Sequence, residues 1–103
     1  MTDSWSEKYR IAAKNWVELD AAASLLEETK SANLSQMMLA NQADSVSKAE
    51  MLAKASPRWT EYITEMVDAR RKANKAKVEL VWIRMRFQEQ SSAEATARAE
   101  RRL

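Results

Sequence analysis

The sequence predicts an all-α protein: an antiparallel hairpin of two long, coiled-coil-like helices with a short connecting helix, associating into a helical bundle. Three observations predict it. The 103 residues contain no glycine and a single proline, Pro57, against average usage of about 7% and about 5%; sheet bends and tight turns depend on such residues, whereas long helices do not. Two stretches repeat apolar residues at alternating intervals of four and three, the spacing of helices that pack along a seam. Serines stand three residues before glutamates, or directly before the proline, where a helix start needs a side-chain oxygen for its unpaired N–H groups.

Taken in order, Ser4 and Glu7 form a capping box that opens a first helix over about residues 4–40. Its seam is Trp5, Tyr9, Ala12, Trp16, Leu19, Ala23 and Leu26. Lys30 and Asn33 interrupt that seam, and Leu34, Met37 and Met38 resume it one step out of phase, so the packing shifts near residue 30 whether or not the helix breaks. The polar stretch from Asn41 to Ser47 competes for backbone hydrogen bonds and marks the bend. Ser47 with Glu50 makes a second capping box, predicting a short helix over about residues 47–55 that must stop before Pro57.

Ser56 then serves as N-cap and Pro57 as first residue of a long helix over about residues 57–90. Its seam runs Trp59, Tyr62, Met66, Ala69, Ala73, Ala76, Leu80, Ile83 and Phe87, and the central alanines imply close approach of the two backbones. Ser91 with Glu94 predicts a kink or restart before a continuation over residues 92–102. At about 1.5 Å per residue the first and last helices match in length and lie side by side. All of this fits one domain, residues 1–103.

The chain has no cysteine and no histidine. Thiolate chemistry, disulfides, the usual transition-metal sites and the usual general base are therefore missing. Glu27 and Glu28 are adjacent and face apart, Glu61 and Glu65 lie on a solvated face, and a glycine-rich phosphate loop cannot be built. The expectation is a non-enzymatic protein without cofactor. Apolar runs are too short to span a membrane and the N-terminus lacks a signal-peptide pattern, so the expected location is cytoplasmic.

Charge is unevenly placed. Residues 1–56 hold six basic and eight acidic side chains, whereas residues 57–103 hold eleven and seven. The densest basic group is Arg70, Arg71, Lys72, Lys75 and Lys77, with no acid between Asp68 and Glu79. One reading is phosphate binding along a nucleic acid. The other is internal pairing: Arg70, Lys77 and Arg84 flank the second seam in one row, and Asp20 and Glu27 flank the first seam in the row that faces it.

Residues 78–87 are apolar around most of the helix. Leu80, Ile83 and Phe87 belong to the seam, but Val78, Val81, Trp82 and Met85 form a second stripe pointing away from it. A two-helix hairpin cannot bury both faces. The short middle helix, a second copy of the chain or a different protein is needed to cover this stripe, and Val17, Ala21 and Leu25 make a weaker one on the first helix, which favours a homo-oligomer. Trp82 is the expected anchor of that interface. Met37, Met38 and Met51 near the bend are either core filling or an adaptable surface.

The string ASPRWTEYITEMVDARRKANKAKVEL, with the terminal ATARAERRL, resembles small helical proteins encoded by bacteriophages and prophages, often beside recombination genes. The likeness covers roughly residues 49–103 and rests on the Ser-Pro cap, the Ala-Arg-Lys-Ala run and the arginine-rich end. It implies a phage accessory protein in the cytoplasm of a bacterial host and carries over no site residues. The functional expectation is an oligomeric accessory protein acting through protein partners near DNA recombination or processing. The alternatives are a DNA-binding accessory using the basic cluster and an inhibitor of a host nuclease or defence complex.

Overall fold

The structure, a computed structural model, describes residues 4–102. Four helices follow one another: α1 (Trp5–Glu28), α2 (Lys30–Ala40), α3 (Val46–Lys54) and α4 (Pro57–Arg102). No strand occurs among the described residues. The fold is all-α, and its main packing is α1 against α4. Trp5 meets Trp82, Lys77 lies over Trp16, and Arg70 reaches Asp20 and Glu27. Residue numbers fall along α4 as they rise along α1, so the pair is antiparallel.

The caps explain where these helices start. Ser4 Oγ accepts the Glu7 N–H at 3.2 Å, but the Glu7 carboxylate bonds to Arg10 instead of reaching back, so only half of the capping box forms. The second box is corrected more fully. Ser45, not Ser47, caps α3: its backbone is extended and its oxygen accepts the Lys48 N–H at 3.2 Å, while Glu50 pairs with Lys54 at 2.8 Å. Ser56 caps α4 as expected, accepting the Trp59 N–H at 3.3 Å directly before Pro57.

Two expected boundaries change. The helix predicted over residues 4–40 divides at Thr29 into α1 and α2. There the Tyr62 hydroxyl of α4 donates to the Leu26 carbonyl, which in an unbroken helix would accept the Lys30 N–H. Thr29 Oγ1 donates to the Leu25 carbonyl at 2.7 Å and lies 3.1 Å from the same Tyr62 hydroxyl. The restart predicted at Ser91 does not occur, since α4 continues through Arg102 and Glu94 accepts from Gln90 at 3.3 Å within one helix. With 46 residues against 24, α4 outruns α1 by about 33 Å.

α2 and α3 fold back beside the start of α4. Met37, Ala53 and Trp59 form a small buried cluster, with Leu34, Met38, Tyr62 and Ile63 packed around it. Trp59 stacks on Tyr62 at 5.8 Å. Met51, by contrast, is exposed. Gln42 closes the turn after α2 with φ 49°, a left-handed position usually left to glycine, which this chain lacks.

The outcome is a rod of 84 × 26 × 16 Å with a radius of gyration of 23.1 Å, where a compact chain of this length would have about 13 Å. Nine apolar residues are buried among those described, and six are alanines. The core is thin, so much large apolar surface stays outside.

Candidate interaction surface

α1 packs on α4 through Ala73, Ala76 and Ile83, all buried, which orients the opposite face of α4 outward. Val78 is 70% exposed and Met85 53% exposed, and Val81 is half-buried. Val67 is also exposed, at 56%. Counting along α4, Val67, Arg71, Asn74, Val78, Val81 and Met85 are separated by four, three, four, three and four residues. This is a second seam, facing away from the first and unpaired within the chain. Sequence reasoning found its C-terminal half; Arg71 and Asn74 hid the remainder, although the interval alone reaches Val67.

Shallow hollows lie along this seam. Asn74, Lys77, Val78 and Val81 enclose one of about 360 Å³, and a neighbouring one of about 560 Å³ lies among Met66, Val67, Arg71, Asn74 and Val78. No residue of α3 lines either hollow. That helix packs at the Trp59 end of α4, about 28 Å along the helix from Val78.

Trp82 is placed differently from the other three stripe residues. Its ring lies edge-on to Trp5 at 6.0 Å with an interplanar angle of 70°, so it partly closes the α1–α4 boundary instead of pointing wholly away. It is still 51% exposed. Trp5 also receives Lys8 Nζ at 4.3 Å and the Arg86 guanidinium at 5.8 Å, contacts between cations and an aromatic face. Beside them a groove of about 600 Å³ is lined by Trp5, Ile11, Asn15, Glu79 and Trp82. The spacing had assigned Trp5 wholly to the seam, and this outward side of it was not legible there. On α1, Val17 and Leu25 are exposed as the weaker stripe requires.

The basic cluster separates into distinct environments. Arg70 bonds to Asp20 Oδ1 at 2.7 Å, to Glu27 at 2.7 and 2.9 Å, and to Ser24 Oγ at 3.3 Å. Hydrogen bonding from Arg70 pulls the Glu27 carboxyl below its ordinary pKa, and the two acids raise that of Arg70. Arg71 and Lys72 both pair with Asp68 on their own helix, at 2.8 and 3.0 Å. Hydrogen bonds from Lys72 and then Arg71 hold the Asp68 carboxyl below its usual value.

Lys77 lies over Trp16 at 5.8 Å instead of meeting an acid of α1. The expected row-to-row pairing therefore holds for Arg70, which takes both acids, and not for Lys77 or Arg84. Neither Lys75 nor Arg84 has an ion-pair partner among the described residues. No helix among those residues is long and apolar enough to cross a membrane. No known protein family, curated protein or solved structure matches the chain.

Proposed function

We propose that this is a non-enzymatic accessory protein that works by occupancy, its rod presenting the outer face of α4 to a protein partner. One observation carries the reading: Val78, Val81 and Met85, with Val67 further along the same four-three row, face outward on a helix whose other face is already packed. Isolated apolar residues on a surface need no explanation, but a run such as Val78, Val81 and Met85 with hollows beside it marks an interaction site. The engagement of Arg70, Arg71 and Lys72 with carboxylates, two of them on their own helix and one across the hairpin, favours this reading over phosphate binding. The phage-type resemblance of residues 49–103 supplies the proposed setting, close to DNA recombination or processing.

The test is quantitative capture with two baits, the wild-type chain and a Val78→Asp, Met85→Asp variant whose helicity is first verified by circular dichroism. The reading expects a protein, either a differently tagged copy of the chain or a component of the host cell, to be retained by the wild type and lost from the variant. Equal retention by both baits sinks it. Retention of generic duplex DNA that disappears when Arg71, Lys72 and Lys75 become glutamine would instead establish the nucleic-acid alternative.

A further inference from the structure

We propose that the outer seam of α4 is covered by the same seam of a second copy, with the two α4 helices parallel and in register. This rests on the reading of that face as a protein-binding surface and names its occupant.

The hollow at Asn74, Lys77, Val78 and Val81 has the i, i+3, i+4, i+7 outline of the four-residue hole that receives one side chain in a coiled coil. In a parallel pair the side chain entering it is Val78 of the second copy. Val67, Val81 and Met85 then meet their own counterparts, Arg71 meets Arg71, and Asn74 meets Asn74, whose amides can bond to each other. A polar pair of this kind is satisfied only when the two helices are in register.

The flanking charges select the orientation. In a parallel pair each residue just before the seam faces one five positions later on the other helix. Arg84 thus meets Glu89, which Arg86 of its own helix also contacts at 3.1 Å, and Lys77 comes beside Trp82, both twice by symmetry. Two conflicts arise: Arg71 meets Arg71 within the seam, each paired with Asp68 of its own helix, and Arg70 meets Lys75, with Arg70 already neutralised by Asp20 and Glu27 of its own chain. An antiparallel pair that stacks Val78 on Val81 and Asn74 on Met85 sets Lys77 beside Arg84 and Asp68 beside Glu89, like charges on both flanks. It also leaves each Asn74 against a methionine. α1 occupies the opposite face of α4 and does not obstruct either arrangement.

Because the chain has no cysteine, introduced cysteines report register directly. Under mild oxidation Asn74→Cys is expected to form a disulfide-linked dimer, since bridging requires Cα atoms about 4.4–6.8 Å apart. An equimolar mixture of Asn74→Cys and Met85→Cys chains should give 74–74 and 85–85 links only. In sedimentation, Val78→Asp should weaken self-association by about tenfold or more through the charge it places in the seam. Arg84→Glu should weaken it as well, and Arg84→Glu combined with Glu89→Arg should restore it.

A mixed 74–85 link as the main product overturns the parallel arrangement. A wild-type chain that stays monomeric at the highest concentration tested overturns the second copy as occupant. That result leaves the broader interaction reading to its own test, whether capture of another protein is lost in the α4 variant.

Discussion

Arg70 joins α4 to two carboxylates of α1, and this contact carries a pH dependence. Glu27 has a lower pKa in the folded protein than its ordinary value of 4.5. The pairing therefore contributes fully above that value and is lost as the pH falls through the depressed pKa. Replacing Arg70 by methionine should lower the thermal midpoint at pH 7, and the gap to wild type should narrow once the pH is low enough to protonate Glu27. Melts of both proteins over that range check it, and a gap that widened in acid would contradict the assignment. At the neighbouring position, Tyr62→Phe removes the hydroxyl that meets the Leu26 carbonyl and should cost about 1 kcal/mol in urea unfolding. It should also relax the α1–α2 break at Thr29, seen as slower amide exchange of Lys30.

Among the elements, the two seams were legible because a four-three interval has one structural meaning over several turns. Ala23 and Ala73, both fully buried, show why alanine sits at their centre. Ala73→Leu should cost about 1–3 kcal/mol by forcing the helices apart, measurable by chemical denaturation. A shift of packing near residue 30 was legible, but not that the helix breaks at Thr29, because the cause is a hydroxyl that bonds to Leu26 from 36 residues away in sequence. The choice of Ser45 over Ser47 was likewise hidden: Glu50, which suggested the box, is taken by Lys54. Ser91 misled for a related reason, as strong helix formers on both sides carry α4 past it.

The turn at Gln42 offers a further check at this scale. A non-glycine residue in a left-handed position costs about 1–2 kcal/mol, part of which glycine recovers. Gln42→Gly should therefore raise stability by about 0.5 kcal/mol in the same denaturation assay.

At the scale of the whole molecule, the proportions of the rod connect fold to function. A hairpin whose buried residues are mostly alanines has little apolar burial to offset the entropy of ordering its helices. Twelve large apolar side chains lie exposed among the described residues, and on α4 three of them, Val67, Val78 and Met85, fall in a line. The sequence already revealed the end of that line at Val78, Val81 and Met85. Its extension to Val67 was hidden by the polar Arg71 and Asn74 in the row, and the turning of Trp82 towards Trp5 required the packing of α1 to be known. Association through α4 would bury this seam while leaving the α1–α4 core unchanged.

Sedimentation velocity over a wide concentration range, comparing the wild type with Val78→Asp, tests this most directly. The expected result is a wild-type species at twice the 11.8 kDa chain mass that gives way to the single chain in the variant, with helicity retained. A single-chain mass for both proteins at every concentration, or the doubled mass for both, would contradict pairing through the outer seam of α4.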